Sequence, residues 1–191
     1  MIIIGVDEAG RGPLVGSVVA GAVAFPTGFK LEGLTDSKKL SEKKRAMLYD
    51  VITNECFWAC AQSDSREIDQ INILEATMLA MKRSVDRLQV QLKKEEVFSV
   101  LVDGNRCPEI ENCQAIVKGD ITESVISAAS IIAKVTRDRY MIELDQIYPE
   151  YGFARHKGYG TKEHFEALLK YGPIDGQHRT TFTPIKNLIR A

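Results

Sequence analysis

The sequence predicts an α/β fold built on one mixed sheet of five strands, and three observations carry that reading. The chain opens with two apolar runs, MIIIGVD and LVGSVVAGAVAF, separated only by the short glycine-rich EAGRGP. A third strand-like run, CFWACA, and a long helical repeat precede two further strands, VFSVLVDG and QAIVKGD. Beyond about residue 148 the pattern is helix and loop. Early strands, helices, later strands and a helical C-terminal part together read as α/β with a mixed sheet flanked by helices.

Taken in order, MIIIGVD is a buried strand, and LVGSVVAGAVAF alternates with small residues as a second. The short turn between them predicts an antiparallel hairpin. Ser41 caps a helix that sets Met47, Leu48, Val51 and Ile52 on one face. CFWACA is the third strand, with Cys56 and Cys60 on the same face. Asn72, with Glu75 three residues on, has the form of a capping box and opens the longest helix. Its seam of Leu74, Met78, Met81, Val85, Leu88 and Leu92 has coiled-coil spacing, but a single seam of this length reads better as packing on the chain's own sheet.

VFSVLVDG ends its strand on Asp103, and QAIVKGD ends on Asp120. ITESVISAASIIAKVTRDRYMIEL follows as a helix whose first half is apolar or small nearly all round, so it belongs deep in the fold. Thr161 caps TKEHFEALLKY, and Gly172-Pro173 stops it.

With 191 residues, 45% of them hydrophobic, the chain suits one compact domain over residues 1–191 and is too short for two large ones. The opening run lacks a basic leader and is broken by Asp7, so it reads as neither signal peptide nor membrane span. SVISAASIIAKV is too short and too rich in serine and alanine to cross a bilayer. The four cysteines form no C-x-x-C pair and only three histidines are present, which argues against a zinc finger. The thiols read instead as reduced small hydrophobes of a cytoplasmic protein. A net charge of −1 argues against bulk attraction to polyanions, yet DSKKLSEKKR, KVTRDR and ARHKG are locally basic.

The chemistry sits in the acids. Asp7, Asp103 and Asp120 each close an expected strand, so neighbouring strands would gather three carboxylates at one rim. Adjacent strand residues face opposite ways, so Glu8 joins Asp7 only if the chain leaves its pleat there, as Gly10 and Gly12 permit. A single strand-end aspartate is more often a turn former. The coincidence of Asp7-Glu8 with two more points to a cation held between mutually repelling groups. Oxygen donors without cysteine or close histidine suit Mg²⁺ or Mn²⁺. Four carboxylates around one or two such ions suit in-line attack of water on a phosphodiester. The glycine stretch fails as a P-loop, lacking Lys-Ser/Thr, and as a dinucleotide fingerprint, because its spacing is wrong.

GVDEAGRGPLVG, DSKKLSEKKR, NILEATMLAM, VDGNRCP, IVKGD, ISAASIIAKVTRDR, YGFARHKGYGTKEH and HRTTF together resemble, in content and order, bacterial ribonuclease HII, from about residue 2 to residue 185. The resemblance implies an RNase H-like fold, with residues from about 148 to 191 as a C-terminal helical extension that contributes to substrate binding. It implies a metal-dependent endonuclease for RNA–DNA hybrids and for single ribonucleotides in duplex DNA, which it cuts on their 5′ side. The products carry 5′-phosphate and 3′-hydroxyl ends, and the role is ribonucleotide removal from DNA. By the same resemblance the four acidic positions fall on Asp7, Glu8, Asp103 and Asp120, holding two Mg²⁺ or Mn²⁺ ions during catalysis. The ribonucleotide-sensing Gly-Arg-Gly falls on Gly10, Arg11 and Gly12, where bare backbone reaches the 2′-hydroxyl. Its partner tyrosine is Tyr159, stacked on the next sugar. The phosphate-side lysine is Lys39, with Lys38 the alternative. Thr181 stands where serine is commoner and keeps the hydroxyl. A ribonuclease HIII-like reading would require an extra N-terminal domain, and the first strand already begins at Met1. A non-catalytic binding module on this fold would be expected to lose carboxylates, and all four are present. A monomer is the default.

Overall fold

The structure, a computed structural model, describes residues 1–31, 33, 40–92 and 97–190. A five-stranded sheet holds β1 (Ile2–Ala9), β2 (Val18–Ala24), β3 (Phe57–Ser63), β4 (Phe98–Asp103) and β5 (Cys113–Ile116). Their order is β3-β2-β1-β4-β5. β1 pairs antiparallel with β2 and parallel with β4, β2 pairs antiparallel with β3, and β4 pairs parallel with β5, so the sheet is mixed as expected.

Helices cover both faces. α1 (Glu42–Glu55) and α4 (Ser124–Ile147) lie on one side, and α2 (Ser65–Gln89) on the other. The apolar seam of α2 packs on the chain's own sheet: Met81, Val85 and Leu88 are buried with Ile4, Val6, Val100 and Val102. α4 lies so close to the strands that glycines are required beneath it. A Cβ on Gly21 would stand 2.5 Å from the Ala129 carbonyl oxygen, and one on Gly5 2.5 Å from the Ile126 nitrogen. Short α3 (Gly119–Thr122) precedes α4. α5 (Phe153–His156), α6 (Lys162–Tyr171) and α7 (Thr183–Arg190) follow it and enclose a second cluster around Met141, Phe153, Leu168 and Ile185.

Several expectations shift for local reasons. β2 starts at Val18 rather than Leu14, because Val15 bridges His178 and Arg179 donates its amide to the Leu14 carbonyl. On α1 only Leu48 and Ile52 are buried, while Met47 and Val51 face outward. Cys56 caps α1 instead of joining β3, though it still packs with Cys60 against the same cluster. α2 begins at Ser65, seven residues before Asn72, with Asp64 as N-cap and a capping box to Glu67. Asn72 is a kink at φ 67° inside it, its carboxamide accepting from the Leu74 and Glu75 amides. The expected box is half formed, since the Glu75 carboxylate turns to Arg106 instead. Asp120 does not close a strand: β5 stops at Ile116, Lys118 turns through φ 59°, and Asp120 lies in the first turn of α3.

Candidate active site

The site forms where β1 outruns its neighbour. Pairing of β1 with β4 stops at Val6 opposite Val102, whereas pairing with β2 continues through Asp7, Glu8 and Ala9. Asp7 and Glu8 therefore stand at an opening in the sheet beside Asp103, the last residue of β4. The expected departure from the pleat at Glu8 does not occur, for Glu8 stays in register opposite Ala20. The chain breaks away only at Gly10, at φ 98°. Asp120 arrives from α3 and donates its amide to Asp103 Oδ1 at 3.3 Å. Ser127 on α4 donates its hydroxyl to the Asp120 carbonyl and so ties α3 to the long helix.

The electrostatics are those of crowded acids. Asp7 is buried, and that burial pushes its carboxyl well above the ordinary range, with the charges of Glu8, Asp103 and Asp120 adding to the rise. The Glu8 amide, donating to Asp7 Oδ1 at 2.7 Å, offsets part of it. Glu8 is raised by burial and by Asp103, against the pull of Arg11, whose Nη1 is 3.5 Å from Glu8 Oε1. Among the described residues no three His, Cys, Asp or Glu side chains close into a compact ligand shell. The four acids form an open cluster of hard oxygen donors whose mutual repulsion a divalent cation would relieve, so the donor set fits Mg²⁺ or Mn²⁺.

A cleft of about 300 Å³ lies over Asp7 and Glu8. Ala9 at the end of β1 and Gly10 just beyond it continue its wall, Ser130, Lys134 and Arg137 of α4 form its side, and Arg45 and Tyr159 complete the rim. Of the expected sensor residues, Gly10 and Tyr159 line this cleft. Gly12 faces the Tyr159 ring so closely that a Cβ on it would touch Cε1 at 3.4 Å. Tyr159 is about half exposed, 47%. Lys38 and Lys39 lie outside the described residues.

Two arginines with no assigned role in the sequence turn out to build this wall. Arg179, within HRTTF, is wholly buried and donates to the carbonyls of Gly10, Arg11 and Gly16 at 2.6–3.0 Å. Burial, with the nearby Arg137 charge, brings its guanidinium down to about 9. Arg137, within the expected basic patch KVTRDR, is not at the surface. It is buried and donates to the carbonyls of Ser17, Val15 and Lys157, so main-chain oxygens and not solvent satisfy it. The only sequence signal for either was its place in a resembling motif. Thr181 shows what its hydroxyl does: with Thr180 it gives Asp69 four hydrogen bonds of 2.6–2.9 Å. These outweigh the burial that works against the Asp69 charge and hold its carboxyl below the ordinary range.

The sequence model of the ribonuclease HII family matches residues 4–185. This chain belongs to the ribonuclease HII family. It is 55% identical over 188 residues to the ribonuclease HII of Neisseria meningitidis serogroup B, covering 97% of this chain and 94% of that protein. Among solved structures, the ribonuclease H2 of Pyrococcus horikoshii OT3 superposes with a TM-score of 0.74 at 28% identity, covering 100% of this chain and 98% of that one. The Bst-RNase HIII structure in complex with Mn²⁺ superposes with a TM-score of 0.79 at 17% identity, over 100% of this chain and 70% of that one, which shows the shared fold. As a member of the ribonuclease HII family the chain is a hydrolase, an endonuclease of the ribonuclease H type with the RNase H-like fold. No helix among the described residues is long and apolar enough to cross a membrane.

Proposed function

We propose that this chain cuts the RNA strand of RNA–DNA hybrids and cuts 5′ to single ribonucleotides in duplex DNA, as part of ribonucleotide removal in the cytoplasm. The observation that carries the reading is one juxtaposition. A buried, charge-crowded Asp7 opens into a cleft whose far rim is a glycine turn facing a half-exposed tyrosine.

Asp7, Glu8, Asp103 and Asp120 would hold the metal, two Mg²⁺ or Mn²⁺ ions during turnover. Bound there, such ions supply Lewis-acid stabilisation of the attacking and leaving oxygens. With such ions bound the four acids would stay charged, and their place at the opening of the sheet would set where the scissile phosphate meets the cleft. Water attacks phosphorus in line, the P–O3′ bond breaks, and the products carry a 5′-phosphate and a 3′-hydroxyl. Gly10, Arg11 and Gly12 bring main-chain groups to the 2′-hydroxyl, while Tyr159 stacks on the sugar that follows. Lys39 serves the substrate phosphates. Residues 148–191 belong to the same domain and support the nucleic-acid face, and the enzyme works as a monomer.

The test is a labelled DNA duplex with one ribonucleotide beside an all-DNA duplex, in Mg²⁺ or Mn²⁺ and then in chelator. Expected is cutting 5′ to the ribonucleotide only with metal, the all-DNA duplex staying intact. Folded protein that binds the duplex but never cuts it would overturn the catalytic reading.

A further inference from the structure

The chain has three histidines, and they form one group beside the segment that carries Tyr159: His156 and His164 contact its backbone, and His178 contacts His164. His156 and His164 stack, with ring centroids 4.7 Å apart and planes 14° apart. His164 Nε2 lies 3.2 Å from His178 Nε2. His164 and His178 are both buried.

Main-chain groups at each end settle where the protons are. The Ile174 amide donates to His178 Nδ1 at 2.8 Å, so that nitrogen carries a lone pair and the His178 proton sits on Nε2. His178 Nε2–H then donates to His164 Nε2, which leaves the His164 proton on Nδ1. Nδ1 faces the Tyr159 carbonyl at 2.9 Å and donates to it. His156 is fixed by the same logic: the Gly158 amide donates to its Nδ1 at 3.2 Å, and its Nε2–H donates to the Tyr151 carbonyl at 2.8 Å. The Tyr159 amide closes the loop on the His156 carbonyl at 2.9 Å. The His164 ring and the His156 carbonyl thus hold the Tyr159 backbone directly, with His178 behind His164, while the phenol side chain reaches the cleft.

The next residue along gives this grip its purpose. Arg179 follows His178 directly and holds the Gly10 and Arg11 carbonyls. One dipeptide therefore fixes both walls of the sensor, Arg179 by direct contact with the Gly10–Gly12 turn and His178 through His164.

We propose that His178 and His164 form a one-way hydrogen-bond relay that positions Tyr159 against Gly12, and that this spacing sets the preference for a ribonucleotide followed by a deoxyribonucleotide. The proposal rests on the substrate reading given above. His164 and His178 are positioning residues, since neither lines the cleft and their contacts are with backbone and with each other. Displacing Tyr159 leaves the carboxylates untouched, so the loss falls on substrate choice rather than on hydrolysis as such.

The test compares wild-type enzyme with His164→Phe and His164→Asn. Phenylalanine fills the ring volume and keeps the stack on His156 but donates nothing, whereas the asparagine Nδ2 replaces ring Nδ1 as donor to the Tyr159 carbonyl. Kcat/KM is measured on a single-ribonucleotide duplex and on a continuous RNA–DNA hybrid, with thermal melting alongside. His164→Phe is expected to lower the ratio of the two by about tenfold, the size of one lost neutral hydrogen bond at a positioned group, and His164→Asn to restore most of it. An unchanged ratio in His164→Phe, or an equal fall on both substrates with a matching loss of melting temperature, overturns the relay. Proton-detected ¹⁵N spectra of histidine-labelled wild-type protein near pH 7.5 give a readout independent of activity. Expected are an Nδ1–H tautomer for His164 and Nε2–H tautomers for His178 and His156. The opposite tautomer at His164 overturns the relay even if the enzyme discriminates. Expected tautomers in an enzyme that cuts both duplexes alike overturn the link from this spacing to substrate preference, whereas expected tautomers in a folded enzyme that cuts neither overturn the substrate reading instead.

Discussion

Gly10 leaves no room for a side chain against Arg137: a Cβ there would overlap the guanidinium Nε and Cδ and stand 3.0 Å from the Ser17 carbonyl oxygen. Arg137 cannot step aside cheaply, because it is buried and its donors are engaged with the carbonyls of Ser17, Val15 and Lys157. The backbone adds a second penalty, since Gly10 sits at φ 98°, where an L-residue is strained. Gly10→Ala is therefore expected to destabilise the protein by about 3 kcal/mol or more, and to cut activity on ribonucleotide-containing duplex further than the remaining folded fraction explains. Urea unfolding followed with the cleavage assay checks both. An unchanged midpoint would mean that the turn is free to relax.

Asp7 works against the fold that presents it. Its carboxyl is raised by burial first and then by the neighbouring acids, so its stability contribution is present at low pH and lost as pH rises through the folded-state value. At neutral pH the charged form is a burden. Asp7→Asn should raise the metal-free melting temperature by a few degrees, at about 2–4 °C for each kcal/mol relieved in a chain of this size. It should also remove most cleavage. Added Mg²⁺ should raise the melting temperature of the wild type and raise that of Asp7→Asn much less, as differential scanning fluorimetry would record. A lower metal-free melting temperature for Asp7→Asn would show that the charge is compensated within the protein.

Much of this architecture was legible because hydrophobic period and side-chain chemistry report on local environment. β1, β4 and the buried half of α4 announced themselves as apolar runs, and Asp7, Glu8, Asp103 and Asp120 stood out because charge at the end of such runs is costly. What stayed hidden depended on a competing local signal or on contacts between distant segments. Asn72 carries an N-cap signature, yet Asp64 had already started the helix, and Asn72 became a kink within it. Leu14 and Val15 read as strand, but residues 178 and 179 draw them away from the sheet. Arg137 and Arg179 look like surface charge in any one-dimensional view. Only the tertiary arrangement of main-chain carbonyls makes them interior residues.

The paired histidines give a pH signature of their own. Burial brings both His164 and His178 down to about 4 from an ordinary 6.5, each further lowered by a neighbouring imidazole. The unfolded chain takes up protons at these rings before the folded protein does, so stability is full above about pH 6.5 and falls as pH drops toward 4. Asp7 acts with the opposite sign, its protonation relieving repulsion as pH falls. Comparing wild type with a His164→Asn, His178→Gln double variant separates the two. Urea midpoints between pH 7.5 and 4.5 should fall steeply for the wild type, by an amount on the order of a few kcal/mol, and more gently for the double variant. Parallel curves would show that these rings titrate as they do in the unfolded chain.

Arg11 and Arg179 serve one turn in opposite ways, and substitution should separate them. Arg11 has a half-exposed side chain whose partner Glu8 is at the 3.5 Å limit of a weak ion pair. Exposed pairs of this kind contribute roughly 0–1 kcal/mol, so Arg11→Ala should move the melting temperature by no more than a degree or two while lowering kcat/KM on the single-ribonucleotide duplex. Arg179 has no exposure to spare, and its fork of donors satisfies three carbonyls at once. Lysine keeps the charge but replaces the planar fork with a point donor, which cannot reach Gly10, Arg11 and Gly16 together. Arg179→Lys should therefore cost about 3 kcal/mol, through buried carbonyls left unpaired and a desolvated ammonium. Thermal melting and steady-state cleavage of both variants decide the matter. A stable Arg179→Lys with full activity would mean that the Gly10–Gly16 turn holds its shape without the guanidinium, and a strongly destabilised Arg11→Ala would mean that the exposed arginine is structural after all.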